Sequence, residues 1–241
     1  MTGGGGGIGG VACSVFATHG YKVAVSDVRP EAVQSTVEAV REAGGVAEGF
    51  VADISDPAQT AALFEEIIAK WGRLDAAFNN AGLSGGGIPL ADLTEEEWDR
   101  NLRVNLTGTW RCMKHEITIM LGQGGGVIVN NCSTLGINGG VSAAYTSTKH
   151  GIAGLTKSAA ITYAAKGIRV NAVCPGFIDS GMGANLVKRG DDAMRRMIAL
   201  HPVGRAGTAL EVAQAAVWLC SDQASYIHGH LLAVDGGFSS H

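Results

Sequence analysis

Short apolar, β-branched runs alternate along this chain with longer stretches in which apolar residues return every three or four positions. The short runs are candidate strands: Lys22 to Ser26, Ala47 to Val51, Ala76 to Asn79, Val127 to Asn131, Arg169 to Cys174 and Leu231 to Val234. Strands separated by helical stretches predict a parallel sheet. Several helical starts are legible. A glycine-rich opening runs into a helical pattern from Gly9 to His19. Asp56 and Pro57 read as an N-cap and a first helical residue, and Leu63, Phe64, Ile67, Ile68 and Trp71 recur at helical spacing until Gly72 stops the turn. Thr94 and Glu97 have capping-box spacing, with Leu93 and Trp98 placed as a hydrophobic staple, at the head of a long helix leading to Asn105. Internal repeats are absent. Residues 177–205 are richer in charge, glycine and methionine than their surroundings and interrupt the strand-helix rhythm. They read as a substrate lid, with an ordinary pair of surface helices as the alternative.

The 241 residues, 46% apolar, suit one large α/β domain spanning 1–241. A net charge of −4 without a basic stripe argues against a nucleic-acid partner and for small-molecule chemistry. No apolar run approaches the ~18 residues of a membrane span, and the start lacks the basic-then-apolar order of a signal peptide, so a cytoplasmic protein is expected. The five cysteines, Cys13, Cys112, Cys132, Cys174 and Cys220, are scattered and read as reduced and structural. Cys132 and Cys174 stand near the candidate site, which leaves a reactive thiol as an alternative to small buried hydrophobes. The dispersed histidines show no metal-ligand spacing.

The chemistry concentrates at Tyr145 and Lys149. On a helix, positions four apart share a face, so the lysine ammonium can lie beside the phenol. A cation so placed stabilises a phenolate and makes a tyrosine a usable acid or base. With four tyrosines and seven lysines in 241 residues, chance alone supplies this spacing in roughly one such chain in eight. An amphipathic helix with a polar face is therefore the competing reading, and the company of the pair decides. At the N-terminus, the glycine run before a helix can bring backbone N–H groups against a pyrophosphate at the positive helix end, although a flexible tag has the same composition. Asp27 ends a strand about 20 residues beyond the glycines, where a carboxylate accepts hydrogen bonds from adenosine ribose hydroxyls. A carboxylate there also repels a 2′-phosphate, by about 3 kcal/mol per unit charge at ~5 Å and an effective dielectric of ~20. NAD is thus expected over NADP, with Arg29 as the residue that can swing toward a phosphate.

With these residues placed, the chain resembles the short-chain dehydrogenase/reductase family over nearly its whole length. Thr2-Gly3 to Gly7-Ile8-Gly9 is similar to its cofactor loop, Asp53-Ile54 to its adenine contact, and Asn79-Asn80-Ala81-Gly82 to the end of its fourth strand. Asn105, Ser133, Tyr145 and Lys149 match its catalytic tetrad. Pro175-Gly176-Phe177-Ile178-Asp179-Ser180 is similar to the segment holding the nicotinamide amide, with Ser180 where threonine is more usual. The tail Val234-Asp235-Gly236-Gly237 is also typical. The resemblance implies a Rossmann-like, doubly wound parallel sheet flanked by helices. It also implies hydride transfer between an alcohol or carbonyl substrate and NAD, with Tyr145 as acid/base and Ser133 on the substrate oxygen. Lys149 would act on the tyrosine and the nicotinamide ribose, and Asn105 would hold a relay water. A homodimer or homotetramer is implied as well. Gly85 to Gly87, Ile137 to Gly140 and Met182 to Leu186 are expected to border a pocket for an uncharged, moderately apolar alcohol.

Two departures stand against the family pattern. Ser133 and Tyr145 are 12 residues apart, one fewer than in many relatives, so Cys132 competes for the serine's place; Ser133 is preferred because it stands three residues before Gly136. The family's first strand should precede Thr2, where only Met1 stands, so a truncated first strand is expected. Its absence should leave two sheet neighbours about 10 Å apart, unless a substitute strand is recruited. An NADPH-dependent ketoreductase and a cofactor-binding protein without catalysis remain the alternatives.

Overall fold

The computed structural model describes residues 1–181 and 192–240. All six expected strands form: β1 (Lys22–Asp27), β2 (Val46–Val51), β3 (Ala76–Asn79), β4 (Gly126–Asn131), β5 (Ile168–Pro175) and β6 (Leu231–Val234). Every pairing is parallel, β1 with β2 in one block and β3-β4-β5-β6 in the other. Alternation along the strands divides the core between the two faces. Val23, Val25, Phe78, Val129 and Val173 face α1 (Gly7–Thr18), α2 (Pro30–Glu42) and the last long helix, Ala209–Cys220. Ala24 and Phe50 face α3 (Pro57–Trp71), while Ala77, Ile128 and Val170 face α5 (Thr109–Gln123) and α6 (Ala143–Tyr163). The result is a three-layer, doubly wound α/β arrangement.

The caps follow local chemistry. The Asp56 carboxylate accepts from the N–H groups of Ala58 and Gln59, and α3 closes on the left-handed Gly72, as the sequence predicts. Thr94 caps α4 (Glu95–Asn101) through the Glu97 N–H. The reciprocal half of that box, from Glu97 to the Thr94 backbone, is not among its cap bonds; the complete box is Thr208–Glu211, ahead of Ala209–Cys220. Helix α1 begins at Gly7, two residues earlier than the periodicity suggested.

The expected gap in the sheet is only partly present. Met1 to Gly4 enter between β1 and β3, and Thr2 bridges in parallel to both Ser26 and Asn79. Thr2 N donates to Phe78 O at 3.2 Å, Ser26 N to Met1 O at 2.9 Å and Gly4 N to Ser26 O at 2.8 Å. The Met1 ammonium itself donates to Ala24 O at 3.0 Å. A short substitute strand therefore closes the C-terminal ends of β1 and β3, next to the site. Lys22, Val23, Ala76 and Ala77 lie beyond its reach, so the split persists over the other ends.

One buried acid lies against the closed end of β3. Glu116, on α5 and 2% exposed, accepts from Asn79 Nδ2 at 3.0 Å. Burial raises its pKa to about 7 from an ordinary 4.5, the Asn79 bond lowering it only partly. The folded state thus holds a proton that the unfolded chain releases between those values, and this stabilisation, complete below the unfolded pKa, is lost as pH rises through about 7. Glu116→Gln should therefore be similar to the parent in urea unfolding at pH 5 and more stable at pH 8, by on the order of 3 kcal/mol. An equal stability difference at both pH values would refute a neutral Glu116.

Candidate active site

The C-terminal ends of the strands carry nearly all the residues singled out above. Between Thr2 and α1 the chain folds back on itself so closely that side chains are excluded. A Cβ on Gly9 would stand 2.1 Å from Gly3 O, and one on Gly5 would stand 2.9 Å from the Asp27 carboxyl carbon. Gly3 and Gly7 adopt φ of +61° and +56°, a region costly for other residues. Helix α1 has no side-chain cap, so its first N–H groups are open donors at the positive end of the helix. Ile8 packs half-buried on the core beneath them. This cradle of bare backbone fits a pyrophosphate.

Asp27, 8% exposed at the end of β1, faces that loop. Its carboxylate accepts from Gly5 N at 3.1 Å, Arg29 N at 3.2 Å and Arg29 Nε at 3.0 Å. Burial works to raise its pKa, but the Arg29 bonds and charge and the Gly5 N–H outweigh it and hold the carboxyl below the usual range. Arg29, rather than swinging free, is clamped on Asp27 while staying 62% exposed. Next to them, Ala52 N donates to Asp27 O at 3.1 Å, which brings Asp53 to the same rim. The Ile54 side chain is buried among Phe50, Leu63 and Phe64 and packs on Gly108. Across the loop, Thr2 Oγ1 accepts from the N–H groups of Asn80 and Ala81, and Asn80 Nδ2 donates to Gly3 O at 3.0 Å. Asn80, Ala81 and Gly82 thereby form the opposite wall.

Tyr145 lies in the first turn of α6 and Lys149 one turn on, with Nζ 5.3 Å from the phenol ring centroid. Lys149 is 4% exposed, and its ammonium donates to Asn131 O at 2.7 Å, a carbonyl at the end of β4. That bond directs the charge to the floor of the cleft. Ser133 follows two residues later as the cap of a 3₁₀ turn, where Oγ accepts from Leu135 N at 3.1 Å and keeps its own proton to donate. Cys132 points the other way: its thiol donates to Lys149 O at 3.2 Å and is 2% exposed. The Cys132 thiol is thus spent on α6, while the Ser133 hydroxyl keeps a proton to donate. Burial raises the thiols of Cys13, Cys112 and Cys220, and all five cysteines are buried.

Asn105 occupies a π-helical turn, Leu102–Gly108, between α4 and α5. Such widened turns leave backbone groups out of the regular ladder and recur at functional sites. The Asn105 amide pairs with both backbone groups of Leu83, at 2.7 and 3.0 Å, and a Cβ on Gly82 would touch both Asn105 Oδ1 and Lys149 Nζ. Sequence periodicity does not reveal this turn: an extra residue shifts the apolar phase by about 100°, and a segment of two turns is too short to show that shift. Three oxygens near the cleft, Asn131 Oδ1, Ser142 Oγ and Thr146 Oγ1, are buried without hydrogen-bond partners among the described residues. Buried groups of this kind mark where a bound molecule or water can supply a bond.

Pro175 ends β5, Gly176 follows it, and Ile178 bridges to Gly207 in a single parallel pair. Ser180 comes back to the glycine loop, where a Cβ on Gly7 would stand 3.6 Å from its Oγ and 3.3 Å from Gly181 Cα. The expected lid continues beyond this point; 182–191, including Met182 to Leu186, lie outside the described residues, and α7 (Asp192–Ala199) resumes the chain ahead of α8, the helix Ala209–Cys220. Gly85 packs tightly on Ser142 and Tyr145 at the mouth.

An open helix N-terminus lies beside an acid-tipped strand, and the Tyr-Lys pair of α6 reaches the end of β4, an arrangement suited to a nicotinamide-dependent oxidoreductase. A family model described as enoyl-(acyl carrier protein) reductase matches residues 4–239. The 2,5-dichloro-2,5-cyclohexadiene-1,4-diol dehydrogenase of Sphingobium indicum is 40% identical over 100% of this chain and 96% of its own length. Cyclohexanol dehydrogenase of an Acinetobacter strain is 39% identical over 100% and 94%. The crystal structure of levodione reductase superimposes with a TM-score of 0.95 at 36% identity, covering 99% of this chain and 96% of that one. The chain belongs to the short-chain dehydrogenase/reductase family, whose members bind nicotinamide cofactors and move hydride between alcohol and carbonyl groups. Among the described residues, no helix is long and apolar enough to cross a membrane.

Proposed function

We propose that this chain is an NAD(H)-dependent dehydrogenase of secondary alcohols carried on a six-membered carbocycle. The observation that carries the chemistry is the Lys149 ammonium, fixed on Asn131 O and facing Tyr145. In the oxidative direction the Ser133 hydroxyl donates to the substrate oxygen and orients it. Tyr145, with the Lys149 ammonium beside its ring, takes the alcohol proton, and Asn105 connects Lys149 to solvent. Bound nicotinamide supplies the hydride acceptor, or the donor in the reverse direction. The ring preference follows relatives named for cyclohexane-derived alcohols, and the segments expected to border the pocket, Gly85 to Gly87 and Ile137 to Gly140, carry no charge. A dimer or tetramer belongs to the same reading: a groove of about 340 Å³ on α5 and α6, lined by Leu106, Trp110 and Leu155, is the apolar face offered to a second copy. Gel filtration at twice or four times the chain mass would support it, and a monomer would remove it.

NAD is favoured by Asp27, whose lowered pKa keeps a full negative charge at neutral pH where a 2′-phosphate would lie. The specific observation favouring NADPH is Arg29, exposed and two residues away. The two separate in one experiment. Asp27→Ala removes the repulsion and releases the guanidinium, so the ratio of NADPH to NADH affinity should rise by tens to a hundredfold. Nicotinamide fluorescence titration measures it; a variant that still rejected NADPH would remove Asp27 from cofactor choice.

A further inference from the structure

We propose that His201, between α7 and α8, is a positioning residue for the nicotinamide end of the site, acting through the Gly176-Phe177 peptide. The inference rests on the reading of Pro175 to Ser180 as the wall beside the nicotinamide.

His201 is 5% exposed, and a buried imidazole must satisfy both ring nitrogens. Nδ1 lies 2.8 Å from Met197 O, a group that only accepts, so Nδ1 carries the proton. Nε2 is then an acceptor and receives the Phe177 N–H at 3.0 Å. The partners thus fix one neutral tautomer. Close packing reinforces the bond. A Cβ on Gly176 would stand 2.7 Å from His201 Nε2 and 3.0 Å from Asp235 Cα, so the β5 exit passes between the histidine and the C-terminal tail with room only for glycine. The ring also lies between two phenylalanines, with centroids 6.4 Å from Phe177 and 5.2 Å from Phe238.

Three segments distant in sequence meet at this imidazole: the end of α7, the exit of β5 and the tail around Asp235. The tail is folded locally, because the Asp235 carboxylate accepts from Gly237 N and Ser239 N, while Gly176 N donates to Val234 O at 3.1 Å. Beyond Phe177, Gly207 N donates to Phe177 O at 2.9 Å and Asp179 N to Gly207 O at 2.8 Å. Phe177 is therefore held on both sides, its N–H by His201 and its carbonyl by Gly207. Ile178 and Ser180 inherit their places from those two bonds, and Ser180 meets Gly7 of the phosphate loop. His201 need not touch cofactor or substrate; it sets the distance between the β5 exit and the glycine loop. A histidine serving only to fill the core would need no acceptor for Phe177.

The test compares His201→Leu with His201→Gln in the full chain. Glutamine presents an oxygen near the position of Nε2, and leucine fills the space without an acceptor. Three readouts are taken together: NADH dissociation constant by nicotinamide fluorescence, KM and kcat with cyclohexanol, and hydrogen exchange at the Phe177 amide. In His201→Leu, exchange at Phe177 should accelerate tenfold or more, and the NADH dissociation constant and KM for NAD should rise about tenfold, with kcat at saturation changed less. His201→Gln should return all three to within about threefold of the parent. Unchanged NADH affinity in His201→Leu overturns the role, as does equal impairment of both variants in step with melting temperature. If the unchanged chain binds neither NADH nor NADPH while Phe177 exchange responds as expected, the cofactor reading fails and takes this role with it.

Discussion

Tyr145→Phe is expected to lower kcat by roughly 10²–10⁴-fold, the range a positioned proton donor contributes, while leaving the NADH dissociation constant nearly unchanged. The substitution removes one oxygen and keeps the ring, which sits half-buried in the first turn of α6 against Gly85. Packing is preserved, so stability should move by less than about 1 kcal/mol. Lys149 keeps its bond to Asn131 O in the variant, and the charge stays at the cleft floor without a phenol to act on. Lys149→Ala removes that charge and its hold on the β4 end, so it should impair both turnover and cofactor binding. Steady-state kinetics with cyclohexanol and NAD, paired with an NADH titration, separate the two variants. Substantial turnover by Tyr145→Phe would remove the tyrosine from proton transfer and leave Ser133 as the first group to examine.

Much of this arrangement is legible in the sequence because it is local. Each strand is a short β-branched run between helical patterns, and the observed boundaries differ from the pattern by at most a few residues. The Tyr-Lys spacing, the acid at the end of β1 and the Asp56-Pro57 cap are likewise written in neighbouring residues. What escapes is decided by contacts between distant segments. Periodicity starts α1 at Gly9, yet the helix begins at Gly7, where Gly181 and Ser180 from a distant segment lie close. Arg29 reads as a cation free to meet a phosphate, whereas the fold spends it on Asp27. His201 carries no spacing signal, since its partners Phe177 and Met197 are chosen by the meeting of β5 and α7. A histidine flanked by the apolar Leu200 and the turn-forming Pro202 is the one hint of burial the sequence offers. Glu116 is similar: one acid on the apolar side of α5 marks a buried carboxyl, but only the β3 neighbour Asn79 shows what meets it.

The split sheet leads to the second large effect. Appending four or five β-branched residues ahead of Met1 should raise the melting temperature by on the order of 10 °C, through about 2–4 kcal/mol of added stability. The register is already set, since Thr2 pairs with Ser26 and Asn79, and residues placed before it continue in parallel between Lys22-Val23 and Ala76-Ala77. Each new backbone bond contributes about 1 kcal/mol, and apolar burial adds roughly 25 cal/mol per Å², against about 1–2 kcal/mol of backbone entropy per ordered residue. The extension has a further electrostatic effect. The Met1 ammonium now donates to Ala24 O among core strands, and its charge reaches the buried Cys13, Cys112, Glu116 and Cys220. Added residues replace that ammonium with a neutral peptide N–H and carry the charge to the strand entrance, where water can reach it. A Gly-Ser extension of equal length relocates the charge without a strand-forming side chain, so the difference between the two extensions isolates the contribution of pairing and burial. Equal melting temperatures for both would mean that β1 and β3 close on each other ahead of Thr2 and that the sheet has no opening to fill.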